Sequence, residues 1–230
     1  MIFVWLFIYS IIYLISNYLS KTIGINHIIT APALLIFVIL LSLIINQSKY
    51  KEDIKIKKFQ FKIQDLALIV PLLCFALVNL IFVNNKFNFL SVLFVISTSA
   101  MVEIIFRGYL LTFLIKKSKK YSIYICAGIF ALCHLVNFFK NDDVVFVIVQ
   151  MICAFSVGLS YNAVTKKFDS IIIPFIISFI TNLTALGSLS NVNFVYYICI
   201  AVCILINIGY FIYTIFDDKN KNSTETQKQQ

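Results

Sequence analysis

Long apolar runs broken by short polar stretches set the pattern of this chain. Runs of membrane-crossing length occupy about 1–19, 28–46, 65–84, 87–115, 121–138, 144–164, 171–187 and 194–216, where a spanning helix needs roughly 20 residues. The pattern predicts an all-α fold, a multispanning transmembrane helix bundle of about eight helices. The longest polar segment, 47–64, is under twenty residues, so no soluble domain fits between the spans. Basic and apolar positions alternate there through Lys55, Ile56, Lys57, Lys58, Phe59, Phe61 and Lys62, which suits a surface segment on an anionic leaflet. The polar tail from Asp217 to Gln230 is rich in Lys, Asn and Gln and predicts disorder.

Composition agrees with this reading. The chain is 61% hydrophobic and 13% charged, and its mean hydropathy of +0.95 lies outside the range of soluble domains. A net charge of +9 raises the question of nucleic acid, but the lysines sit between apolar runs and form no single basic face. Their placement reports topology. Fifteen of the nineteen basic residues fall in 47–63, 116–120, 165–167 and the tail, while the alternate loops hold Lys21, Lys86 and Lys140. The positive-inside rule then puts both termini in the cytoplasm, and the Ile-, Asn- and Lys-rich composition suits a bacterial cytoplasmic membrane. The first run lacks a basic n-region and a small-residue cleavage site, and reads as a retained anchor. The six cysteines lie in apolar runs with no CxxC among them, and are expected to be buried, reduced and structural.

Charge inside the spans is the exception that points to chemistry. Arg107 is the only arginine, one helical turn after Glu103, and both fall within the 87–115 run. Each such residue costs roughly 2.5–3.5 kcal/mol at a bilayer centre, so the default is a paired, inward-facing site. A spacing of four places them on one helix face. Two further pairs four apart follow: Phe130 with His134, and Ser178 with Asn182. Glu103 precedes Lys116 by thirteen residues, His134 follows Tyr121 by thirteen and Asn182 follows Asp169 by thirteen. At 1.5 Å per residue each lies roughly 20 Å deep, so the three can share one level.

At these residues the sequence resembles the CPBP family of intramembrane proteases, which includes the type II CAAX prenyl proteases and the bacterial Abi proteins linked to bacteriocin immunity. That family carries Glu-Glu-x-x-x-Arg, Phe-x-x-x-His and His-x-x-x-Asn (or Asp) motifs on successive helices. Here the first reads Val102-Glu103-Ile104-Ile105-Phe106-Arg107, followed by Gly108-Tyr109-Leu110; the second, Phe130 to His134, is intact; the third runs from Ser178 to Asn182. Between them Gly158 and Leu159 match the family's Gly-containing helix. The resemblance covers about 87–187 and divides the chain into N-terminal helices with the basic loop (1–86), a motif core (87–187), a last span (188–216) and a tail (217–230).

Two positions depart from the pattern. The family's first glutamate, its presumed water activator, is Val102, and the third motif's histidine is Ser178. The resemblance therefore implies a protease-like fold with a degenerate site that binds a membrane-embedded protein or peptide, as in bacteriocin immunity or regulation of a membrane sensor. The alternative is an endopeptidase with a remodelled site of Glu103, His134 and Asn182, supported by Arg107, Phe130 and Ser178. Against it, an ion pair with Arg107 ties up the oxygens of Glu103. A third reading is a transporter in which Glu103 and His134 relay protons. Metal binding is thinly supplied, since catalytic zinc usually takes three protein ligands and Glu103 and His134 give two. Cys133 points about 100° from His134 on an ideal helix and is not counted. No tightly held metal or other cofactor is predicted, and a weakly held zinc is left open. The partners expected are the lipid bilayer and a membrane protein or peptide, with no nucleic acid.

Overall fold

The computed structural model describes residues 2–47, 69–82, 88–118, 120–135, 144–188 and 194–228. All regular structure among them is helical, in eight segments. These are α1 (Ile2–Ile23) and α2 (Thr30–Gln47), α3 (Val70–Ile81) and α4 (Phe89–Lys117), α5 (Ser122–Leu135), α6 (Val144–Phe168), α7 (Ile172–Ser188) and α8 (Phe194–Lys228). The basic segment expected on the leaflet surface lies outside the described residues.

Five helices are long and apolar enough to cross a membrane: α1, α2, α4, α6 and α8. The chain is thus an integral membrane bundle, and large apolar side chains such as Phe7, Ile81, Phe89, Phe194 and Leu205 stand exposed on its outside, where lipid is their proper solvent. Among the described residues the apolar parts of α3, α5 and α7 are shorter, at Val70–Ile81, Ser122–Leu135 and Ile172–Leu186, and the ends of the runs predicted at 65–84 and 121–138 lie outside the described residues. Pro71 lies in a 3-10 turn, Val70–Leu73, where its missing N–H costs least. α5 tightens into a 3-10 turn at Cys133 to Leu135. In the other direction, α8 continues to Lys228, through the polar stretch whose composition predicts disorder.

Helix contacts run in a chain that encloses a central space. α1 packs on α2, α2 on the first half of α4, α4 on α7, α7 on α3, and α6 on both α5 and α8. Ser20 ties the first turn together: its hydroxyl accepts from Ile29 N at 3.0 Å and Thr30 N at 3.2 Å and meets Thr30 Oγ1 at 3.0 Å, satisfying amides at the start of α2. The α5–α6 contact is the tightest. A Cβ on Gly158 would stand 3.0 Å from both Cα and Cβ of Ala127, so glycine is what lets the two backbones approach.

Candidate functional site

α4 changes winding in the middle of its motif. Ile104–Leu110 is a π-helical segment with every residue buried, a form that is rare and often found at functional sites. Leu111 N bonds to Phe106 O, five residues back, and the Cys126 thiol donates to the same carbonyl at 3.3 Å. The extra residue per turn invalidates an ideal-helix depth count along α4, but it keeps Glu103 and Arg107 together. Arg107 Nη1 donates to Glu103 Oε1 at 3.3 Å, Nε lies 3.3 Å from Oε2, and both side chains are 1% exposed. The guanidinium carbon sits 4.5 Å from the Phe130 ring centroid and 5.4 Å from that of Tyr161. Aromatic faces thus cover the cation where water cannot.

Phe130 joins the first motif to the second. Its ring meets Phe106 edge-on at 5.1 Å and His134 edge-on at 5.2 Å. His134 Nδ1 lies 3.2 Å from Phe130 O. A carbonyl only accepts, so Nδ1 carries the proton and Nε2 is the lone-pair nitrogen.

On α7 the third motif turns toward α4. Asn182 Nδ2 donates to Ser99 Oγ at 3.1 Å and to Ser178 Oγ at 3.3 Å. Both amide hydrogens of Asn182 are therefore spent on serine oxygens.

These residues border one cavity of about 790 Å³, within the range of small-ligand sites. Val102, Glu103 and Phe106 line it from α4, Phe130 and His134 from α5, and Ser178 and Asn182 from α7. Arg107 stands behind Glu103, outside the lining. The facing wall comes from α1, with Tyr9 and Tyr13, and from α3 and α8, where Tyr196 Oη donates to Asn79 Oδ1 at 3.3 Å.

Cysteine placement departs from the expected burial. All six are unbridged, but only Cys126 and Cys203 are buried; Cys74, Cys153 and Cys199 are half-buried, and Cys133 is exposed and lines the cavity beside His134. It falls in the closing 3-10 turn of α5, whose tighter winding invalidates the 100° step of an ideal helix. Even so, among the described residues no three His, Cys, Asp or Glu side chains gather where a metal ion could be held.

Sequence reasoning missed Ser99, Tyr161 and Asn79. Ser99 precedes Glu103 by four, as Glu103 precedes Arg107, so a stripe at that spacing was the available signal. Asn79 is a polar residue inside a short apolar run, 3% exposed. Tyr161 gave no signal, because a tyrosine in a membrane helix is ordinary.

Residues 84–184 match the family model described as Rce1-like, type II CAAX prenyl endopeptidase. No curated protein and no solved structure matches the chain.

Proposed function

We propose, from the Rce1-like match over residues 84–184, a degenerate CAAX-protease-like membrane protein that holds a membrane-embedded peptide or protein in its cavity without hydrolysing it. One observation carries this reading: the carboxylate at the cavity wall, Glu103, is paired with Arg107, while Val102 offers only a hydrocarbon surface where the family pattern has its first glutamate. Amide-bond hydrolysis needs a base for the water and donors for the oxyanion. The first contributes about 10²–10⁴-fold and one of the second about 10²–10³-fold. Here the first is missing at Val102, and the Asn182 amide hydrogens already bond serine oxygens. Bacteriocin immunity and regulation of a membrane sensor are roles that fit a binder of this kind. The lysine distribution supports a cytoplasmic membrane with both termini inside.

The test compares membrane-protein N-termini, by quantitative mass spectrometry, in cells expressing wild type and His134→Ala at matched levels. Identical profiles are expected, and a terminus found only with the wild type would overturn the reading. Val102→Glu with Ser178→His refills both departures and is the companion variant, in which new termini are expected. The second reading, an endopeptidase using Glu103, His134 and Asn182, draws support from their sharing one cavity. It requires that Glu103→Gln abolish a wild-type cleavage product at unchanged protein level.

A further inference from the structure

One end of the bundle gathers basic side chains. α4 ends on Lys116 and Lys117, the turn into α5 carries Lys120, and α6 ends with Lys166 and Lys167 in its last turn. Asn162 Nδ2 donates to Ile123 O at 3.0 Å, which sets the last turn of α6 beside the first turn of α5. Five lysines from three helix ends therefore share one corner, while the described carboxylate at that end is Asp169. The opposite end is marked by the α1–α2 turn, where the His27 ring stacks on Phe94 at 4.2 Å, and the lysine described there is Lys21. Phe94 and Lys117 are 23 residues apart on α4, roughly 30 Å once the shorter rise of the π segment is allowed for, about the thickness of a hydrocarbon core. The two ends are the two membrane surfaces.

Beneath the lysines the surface is apolar and open. Phe113, Tyr121 and Tyr124 are 47%, 53% and 44% exposed. Lys117 Nζ lies 4.9 Å from the Phe113 ring and Lys120 Nζ 5.2 Å from the Tyr121 ring, so each cation stands directly on the aromatic surface. No acidic residue occupies the first turn of α5, where the helix dipole adds positive potential. A nucleic acid or a soluble phosphate would match the charge and leave the aromatic surface bare. A molecule with an anionic head and hydrocarbon tails matches both.

We propose that this corner is a binding site for an anionic phospholipid. Lys116, Lys117 and Lys120 engage the headgroup phosphate, and Phe113 and Tyr121 contact the upper part of the acyl chains. Lys166 and Lys167 hold the local potential positive from the neighbouring helix end.

The experiment offers the full chain, in detergent micelles, an equal mixture of phosphatidylglycerol and phosphatidylcholine and measures the lipid retained by native mass spectrometry. Phosphatidylglycerol is expected to be retained in about tenfold excess, in keeping with the attraction of a few interfacial lysines. Lys116→Gln/Lys117→Gln/Lys120→Gln is expected to bring the ratio to near one, and Lys120→Gln alone to lower it, while Lys21→Gln at the other end leaves it unchanged. Glycerol 3-phosphate, which carries the head without the tails, is expected not to displace the lipid. Equal retention of the two lipids by wild type overturns the site. So does an undiminished preference in Lys120→Gln and the triple variant, or loss of the preference in Lys21→Gln. Displacement by glycerol 3-phosphate shows a simple phosphate site and overturns the assignment to lipid.

Discussion

On the α4–α7 side of the cavity, Glu103 pairs with Arg107, both 1% exposed, and Asn182 donates to Ser99 and Ser178. On the α5 side, His134 and Cys133 stand in a helix that has already tightened into a 3-10 turn, and both open onto the cavity. Desolvation explains the contrast. A charge pair in a dry core depends on its partner for compensation, which fixes its geometry, and here Glu103 Oε2, Arg107 Nε and Arg107 Nη2 are buried with no hydrogen bond to complete it. A half-exposed imidazole keeps its lone-pair nitrogen at the price of a less rigid seat. The charged residues that stand out most in the sequence, Glu103 and Arg107, are thus paired out of reach of solvent, while His134 borders the cavity.

Breaking the closed side should have the largest effect. Arg107→Ala leaves the Glu103 carboxylate buried with no counterion, and removing one partner of a buried pair typically costs about 3–5 kcal/mol. Unfolding of the purified protein in SDS–detergent mixtures measures this. Glu103→Gln/Arg107→Met strands no charge and is expected to cost distinctly less than Arg107→Ala. Equal losses would mean that the pair is stabilised by its packing on Phe130 and Tyr161 and not by its charges.

The next effect sharpens the same side. Asn182→Ala removes two hydrogen bonds but leaves hydroxyls, which can rotate to other acceptors, so the cost is expected near 1–2 kcal/mol. Because Ser99 and Ser178 share that amide, Ser99→Ala and Asn182→Ala should be non-additive in a double-mutant cycle. On the open side, His134→Ala is expected to cost under about 1 kcal/mol, since it removes one bond to a helix carbonyl and no buried charge. A loss at His134 as large as that at Arg107 would erase the distinction between the two sides.

What could be read in advance follows the same energetics. Arg107, Glu103 and His134 were legible because a titratable group in a membrane-length run is expensive and therefore rare. The bundle was legible because lipid demands uninterrupted apolar length. The π turn was not, since a segment buried on every side has no polar face whose period could betray a change of winding. Ser99 and Asn79 were hidden for a different reason: small polar residues are common glue between membrane helices, and only the fold tells which of them meet.

The smallest predicted effect lies at the other histidine, in the α1–α2 turn. His27 adopts a positive φ of 63° in the α1–α2 turn and stacks on Phe94 at 4.2 Å with ring planes 14° apart. Burial disfavours its charged form and lowers its pKa below 6.5. The unfolded chain then binds the proton more readily than the folded one, so stability from this group is complete above about pH 6.5 and declines as the pH falls through and below that value. Unfolding measured between about pH 7.5 and 5 should show the decline, and His27→Asn, which tolerates the positive φ and does not titrate in this range, should flatten it. If His134→Ala flattens the curve and His27→Asn does not, the cavity histidine is the one held neutral by its surroundings, and the division into a closed side and an open side would have to be redrawn around it.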